Sequence, residues 1–450
     1  MTNEPILAAS LPSPPVALPP SQKQGDEAPV APTERFGALD ALRGFALLGI
    51  LTMNVIAGMP EAAYFNPTVA GGFTGWNFVA WLVGYLVFNE KMMSIFSMLF
   101  GAGLILFSDR ATVRGGSSTP IFLRRTVALL VFGLLHAYFL FYGDILYTYA
   151  LCSLAVYWFR NLHPRTLLTL GVVMLLPGVV MMAAYGGFFR YARSAEARIE
   201  AARVAGTTPT PLDIQLAKAW QEARDDAQPS QAKIDEEIDL HRHGGYLATT
   251  RHRIKESLGM QTVIFATMLL WSCGGRMLIG MGLMKLGVWT GERSLAFYRN
   301  MAMFGYLLGL PLVAYGMYEQ MRHDFDPVYM FGGDLVWNEF GSILVAFGHA
   351  GVLLGLWKAG KMPGVLNRLA AVGRMAFTNY LVQSLIMLLF FDGLGMFGRL
   401  DRVWLSLFVV AVWALQLAYS PVWLRYFRFG PAEWLWRTMT YQRWQPMLAK

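Results

Sequence analysis

Long apolar blocks alternate with short polar punctuation along most of this chain, and no block holds more than two charged residues. A helix needs about 20 mainly apolar residues to cross hydrocarbon. About ten blocks meet that need, near 39–58, 91–108, 124–142, 144–159, 166–188, 259–284, 296–318, 340–358, 373–392 and 403–424. The stretch 76–89 is too short to span comfortably. Its two tryptophans suit an interfacial or re-entrant helix. The fold class that follows is all-α, a polytopic transmembrane bundle of about ten spans.

Two segments break the pattern. Residues 1–34 are rich in proline and small residues and cannot build a packed core, so a disordered tail is expected there. No basic region precedes a short apolar one, so no cleavable signal peptide is expected. Residues 189–258 hold much of the remaining charge in Ala-, Glu- and Arg-rich runs that favour helix. The chain therefore divides into a tail (1–34), an amino-terminal membrane bundle (35–188), a polar helical insert (189–258) and a carboxyl-terminal membrane domain (259–450).

Charge sets the expected orientation. Arg110, Arg114, Arg124 and Arg125 follow the second block, and Arg160 and Arg165 follow the fourth. Lys285 and Arg293 follow the sixth, Lys358, Lys361 and Arg368 the eighth, and Arg425, Arg428, Arg437 and Arg443 the last. The alternate loops are poorer, and 59–75 has neither Lys nor Arg. Cytoplasmic loops carry the basic excess. Both termini are then cytoplasmic and the insert extracytoplasmic.

Composition agrees with this reading. Of 450 residues, 55% are hydrophobic and only 15% charged, against about a quarter charged in soluble domains. The net charge of +8 reads as a topology signal, and no nucleic-acid partner is expected. Cys152 and Cys273 lie in apolar blocks and offer neither a disulfide framework nor a metal spacing. There is no Walker A sequence, HExxH, GxSxG or paired CxxC. No ATP-driven pump, metal centre or covalently bound cofactor is expected.

Ionisable groups inside spans are costly and mark candidate function. Arg43, Asn54, His136, Asp144, Arg276, His349, Arg374 and Asn379 are such groups. His136 falls in the outer half of the third span, and Asp144 opens the fourth after a break at Gly143. An antiparallel turn would let the two meet, with the carboxylate orienting a general base. Alternatively, Asp144 caps the fourth helix and His136 is a satisfied buried histidine. Asn54 could stabilise an oxyanion or bridge two helices. Arg43 and Arg374, at the cytoplasmic ends of spans, could reach donor phosphates or serve as anchors. Asn379, in the same motif as Arg374, is a further candidate for binding substrate or donor. For His349, a buried hydrogen bond to a neighbour is expected. In FSMLFGAGL, Gly101 and Gly103 point to close helix packing.

The segments LDALRGFALLGILTMN (39–54), AAYFNP (62–67), FSMLFGAGL, GDILYTYAL, GMGLMKLG (280–287), GRMAFTNYLVQSL (373–385) and WLRYFRFGPAEWLWRTMTY together resemble the YeiB family of bacterial inner-membrane proteins, with its carboxyl-terminal domain of unknown function 418. The resemblance covers almost everything after residue 35 and implies location in the bacterial inner membrane, with the lipid bilayer as partner. That family has no firmly assigned activity. Asp40, Arg43, Gly44 and Asn54 more distantly resemble a first-span element of transmembrane acyltransferases, the class that includes heparan-alpha-glucosaminide N-acetyltransferase. Those enzymes use a histidine soon after the first span. None lies between Asn54 and the second span here, so their histidine has no positional match.

Two readings of function follow. One is an acyltransferase moving an acyl group from a cytoplasmic acyl-CoA donor to an extracytoplasmic envelope glycan or lipid acceptor. The other is a transporter or permease for a small solute or lipid. The sequence leaves the oligomeric state open.

Overall fold

The computed structural model describes residues 37–113 and 118–449. The segment 1–34 and Arg114 fall outside them. Among the described residues there is no strand, and α-helices account for most of the chain. In chain order the first six are α1 (Gly37–Asn54), α2 (Gly75–Val83), α3 (Lys91–Val113), α4 (Ser118–Phe139), α5 (Leu146–Val156) and α6 (Pro164–Val204). Then come α7 (Pro211–Ala227), α8 (Gln231–His243), α9 (Gly245–Gly259), α10 (Leu270–Lys285), α11 (Leu295–Arg322) and α12 (Pro327–Tyr329). The last are α13 (Leu335–Lys358), α14 (Pro363–Arg374), α15 (Ala376–Leu388), α16 (Arg402–Tyr426) and α17 (Pro431–Tyr441).

Nine helical stretches are long and apolar enough to cross a membrane among the described residues. The segment expected at 144–159 is shorter. α5 has 11 residues and runs on through a tight turn of 5 at Tyr157–Asn161. It nevertheless passes between the two ends of the bundle, because Asp144 meets α4 at one end and Tyr157 Oη bonds Ser118 at the other. It makes a tenth crossing, so the described chain ends share one end of the bundle. There Gly37 packs on Trp357, and Trp436 Nε1 of α17 donates to Arg125 O at 2.9 Å. The helices of the insert gather at the opposite end. Asn66 Nδ2 donates to Ala227 O there, and the Glu61 backbone N–H donates to Glu237 Oε1.

The insert is not hinged onto the bundle. α6 runs unbroken for 41 residues, well past the 20 or so that hydrocarbon requires. α9 continues through a wide π-helical segment, Met260–Leu269, into α10. α2 and α3 are separated by a break at Asn89–Glu90, where Glu90 takes φ 61°. The break lies within the bundle, since Val87 O accepts from His349 Nε2 at 2.9 Å halfway along α13.

Small residues set the closest crossings, as membrane helices without a hydrophobic drive require. α1 meets α14 through Gly44 and Gly373, and α3 meets α10 through Gly101 and Gly280. A Cβ on Gly280 would overlap the Met98 carbonyl, whereas Gly103 faces open space. The two glycines of FSMLFGAGL therefore differ. Overpacking a tight core costs about 1–3 kcal/mol, sometimes more. Gly280→Val should lower the thermal midpoint sharply or prevent accumulation, and Gly103→Ala should leave it unchanged. Thermal size-exclusion assays in detergent distinguish the two.

Candidate functional site: a buried hydroxyl–imidazole–carboxylate relay

α4 ends one residue after Ala137–Tyr138, and its last turn carries His136. The chain turns back through Gly143, and Asp144 precedes α5. Gly133, one turn before His136, clears space for this return. A Cβ there would press into the Tyr147 backbone and come within 3.0 Å of Asp144 Oδ2. The turn brings His136 Nδ1 to 2.8 Å from Asp144 Oδ1. Asp144 Oδ2 accepts the Tyr147 backbone N–H at 2.7 Å. The carboxylate thus orients the imidazole with one oxygen and caps α5 with the other.

The other face of the imidazole meets Ser384. Its Oγ lies 2.8 Å from His136 Nε2. With Nδ1–H donated to the carboxylate, Nε2 is the acceptor, and the network assigns the serine as donor. Ser384 sits midway along the span Ala376–Gly393. The Tyr380 ring, one turn earlier, lies 4.8 Å from the imidazole, centroid to centroid. His136 and Ser384 are each 1% exposed. A hydroxyl, an imidazole and a carboxylate in series form the constellation that activates a serine for nucleophilic attack.

The remaining predicted residues lie elsewhere. Asn54 ends α1, and among the described residues no hydrogen bond joins it to His136, Asp144 or Ser384. Arg43 Nη1 pairs with Asp40 Oδ1 at 2.6 Å. Arg374 also faces Asp40, and burial lowers its basicity first and foremost. Its Nε is buried without a hydrogen-bond partner. Arg437 stands within electrostatic reach of Asp40 and Arg43. Arg43, Arg374 and Arg437 thus surround one carboxylate at the end where the chain ends lie, and Arg125 stacks on Trp436 at 4.0 Å. Asn379 is fully buried, and its amide is committed to the protein. Nδ2 donates to Val372 O and Ser420 Oγ, both at 3.2 Å, and Oδ1 accepts from Tyr419 Oη. It ties α15 to α14 and α16. His349 is satisfied as expected, by Tyr306 Oη at 2.8 Å and by Val87 O.

Glu433 links the two carboxyl-terminal motifs. Its carboxylate accepts from the backbone N–H groups of Phe377 and Thr378 at 2.7 and 3.1 Å. It closes the open start of α15, where an anion is favoured.

A second buried group went unread in the sequence apart from Arg276. Arg276 pairs with Glu339 at 3.1 Å and lies 4.0 Å from Glu90. Ser272 Oγ donates to Glu339 at 3.0 Å and also meets Arg276. Lys91 Nζ, fully buried, donates to Tyr85 O and to Asn338 Oδ1 at 2.9 and 3.1 Å. Tyr85 Oη donates to Asp334. The signal was present in GGDLVWNEFG, where Asp334 and Asn338 fall four apart and so share one helix face. A span begun at residue 340 excludes them.

The fold and these buried groups define a multi-pass integral membrane protein. The family model for a protein of unknown function (DUF418) matches residues 283–443. The uncharacterized protein YeiB of Escherichia coli is 31% identical over 426 residues, covering 93% of this chain and 99% of that protein. The uncharacterized protein YxaH of Bacillus subtilis is 29% identical over 94% of this chain and 98% of its own length. An uncharacterized 39.9 kDa protein of Bacillus acidopullulyticus, from an amylase 3′ region, is 30% identical over 94% and 98%. This chain belongs to the YeiB family. No solved structure matches it significantly.

Proposed function

We propose that this protein transfers an acyl group across the bacterial inner membrane, from a cytoplasmic donor such as an acyl-CoA to an extracytoplasmic envelope acceptor. The observation that carries the reading is the Ser384–His136–Asp144 relay, buried between α4, α5 and α15. Ser384 Oγ attacks the acyl carbonyl, and His136 Nε2 takes the hydroxyl proton. The donor's leaving group departs with that proton. The acceptor hydroxyl or amine then gives its proton to His136 and takes the acyl group from Ser384, whose oxygen regains the proton from His136. Asp144 holds the ring throughout. Arg43, Arg374 and Arg437 suit an anionic donor at the other end of the bundle. Transfer of a labelled acyl group by the purified protein tests the reading. No transfer to any acceptor in a membrane extract would sink it.

The orientation is part of this proposal. Among the insert residues, Gln231 is exposed, and both native cysteines are buried. A cysteine at 231 should react with a membrane-impermeant maleimide in intact cells. Labelling only after permeabilisation reverses the orientation.

A second reading, a transporter, is favoured by the Lys91–Arg276–Glu339 network beside the broken α2–α3 pair. Discontinuous helices and buried charge are the usual makings of a midplane transport site. Solute uptake into proteoliposomes without an acyl donor would favour it.

A further inference from the structure

We propose that Glu61, His252 and Glu256 bind a divalent transition-metal ion, with Zn²⁺ the best match to their donors. His252 and Glu256 are four residues apart on α9 and so project from one face. Glu61 opens the second of two short turns after α1, Glu61–Tyr64. Its backbone N–H donates to Glu237 Oε1 at 2.9 Å, which docks this loop on the insert. One ligand atom from each of the three residues lies within 4.8 Å of the others. Together with Glu237, His241 and Tyr142 they line a cavity of about 30 Å³. A space of that size holds an ion with a water molecule.

The charge balance points the same way. Three carboxylates converge here, from Glu61, Glu237 and Glu256. Among the described residues none of them pairs with a lysine or arginine. Arg253 also lines the cavity, but its guanidinium is committed to Asp392 at 3.0 Å and to Phe139 O at 3.2 Å. His241 Nδ1 likewise belongs to Asp392. An imidazole among the donors selects zinc-like ions over calcium and magnesium, which take oxygen. Three protein ligands leave a fourth position for water. All three residues are half-buried, unlike acidic clusters on open surface. The site lies at the insert end and does not depend on the acyl-transfer reading.

The test uses the full chain without an affinity tag, purified in detergent, stripped with chelator and desalted. Zinc is titrated calorimetrically, and retained metal is counted after gel filtration. One Zn²⁺ per chain is expected. Loss of a residue that merely supports a ligand costs 10–100-fold in affinity, so loss of a ligand should cost about 100-fold or more. His252→Ala and Glu61→Gln should each show that loss. Glu222→Gln, exposed on α7, should bind as the wild type does. Glu61→Gln is nearly isosteric, and its metal-free melting should match or exceed that of the wild type. Should His252→Ala fail to fold, Glu61→Gln alone decides. No retained zinc in the wild type overturns the proposal and leaves a proton-sharing carboxyl pair. Equal affinity in wild type and Glu61→Gln overturns it too, as does Ca²⁺ or Mg²⁺ binding as tightly as Zn²⁺.

Discussion

His136→Ala should lower acyl transfer by at least ~100-fold, the lower bound for a positioned general base, and by as much as ~10,000-fold. Ser384→Ala should fall into the same range. The double variant should be little worse than either single one, because residues acting as a unit fail together. Asp144→Asn is the sharpest member of the set. The carboxylate caps α5 and orients His136 at once, and asparagine caps about as well as aspartate. A cap alone would make this variant silent. Its amide N–H₂, however, would face Nδ1 and turn the ring to the other tautomer, placing a proton on Nε2 against Ser384. That change is known to be severe where a serine depends on the imidazole. Initial rates at matched membrane levels are the measurement, with melting curves alongside. An orphaned buried partner costs about 1–3 kcal/mol, so modest destabilisation is expected and must be separated from lost rate. Full activity in His136→Ala would remove the relay from catalysis.

Glu339→Gln should be strongly destabilising, by up to about 3–5 kcal/mol, because it leaves a buried guanidinium with only Glu90, 4.0 Å away, as counter-charge. Arg276 is fully buried, and Glu339 is 6% exposed. The glutamine keeps a partner for Ser272, so the loss isolates the charge. Arg276→Met with Glu339→Leu should recover most of the stability, since apolar replacement of a buried pair is often neutral or better. Thermal midpoints in one detergent give both results. The double variant also separates the two functional readings. Under acyl transfer it should retain activity, and under transport it should fold yet abolish uptake.

The spans were legible because hydrocarbon thickness imposes a length that few other constraints imitate. The His136–Asp144 pair was legible for a local reason, since eight residues and one glycine-marked turn separate them. Ser384 was not. It lies 248 residues away from His136, and a serine in a membrane helix is ordinary. The loss of α5 as a full-length span has a similar cause. Hydropathy reads 144–159 as one block, but Asp144 serves as the cap and the helix proper ends at Val156, before a tight turn. Asn379 sits in a different setting. A polar residue inside a span invites a ligand, yet its amide is saturated by α14 and α16. The pairing of His252 with Glu256 is visible as a four-residue spacing, whereas Glu61 joins it only through tertiary packing.

The 41-residue α6 behaves as a strut. At 1.5 Å per residue it is about 60 Å long, twice the hydrocarbon thickness. The helices of the insert are therefore carried at a fixed height and azimuth. Adding or removing a single residue between 189 and 203 would swing them about 100° around the helix axis, because 3.6 residues make a turn. Changes of the same size in the 205–210 connection would only lengthen or shorten a loop. Tolerance to insertion should thus change abruptly at the end of α6, marking where the bundle's rotational phase ceases to be transmitted.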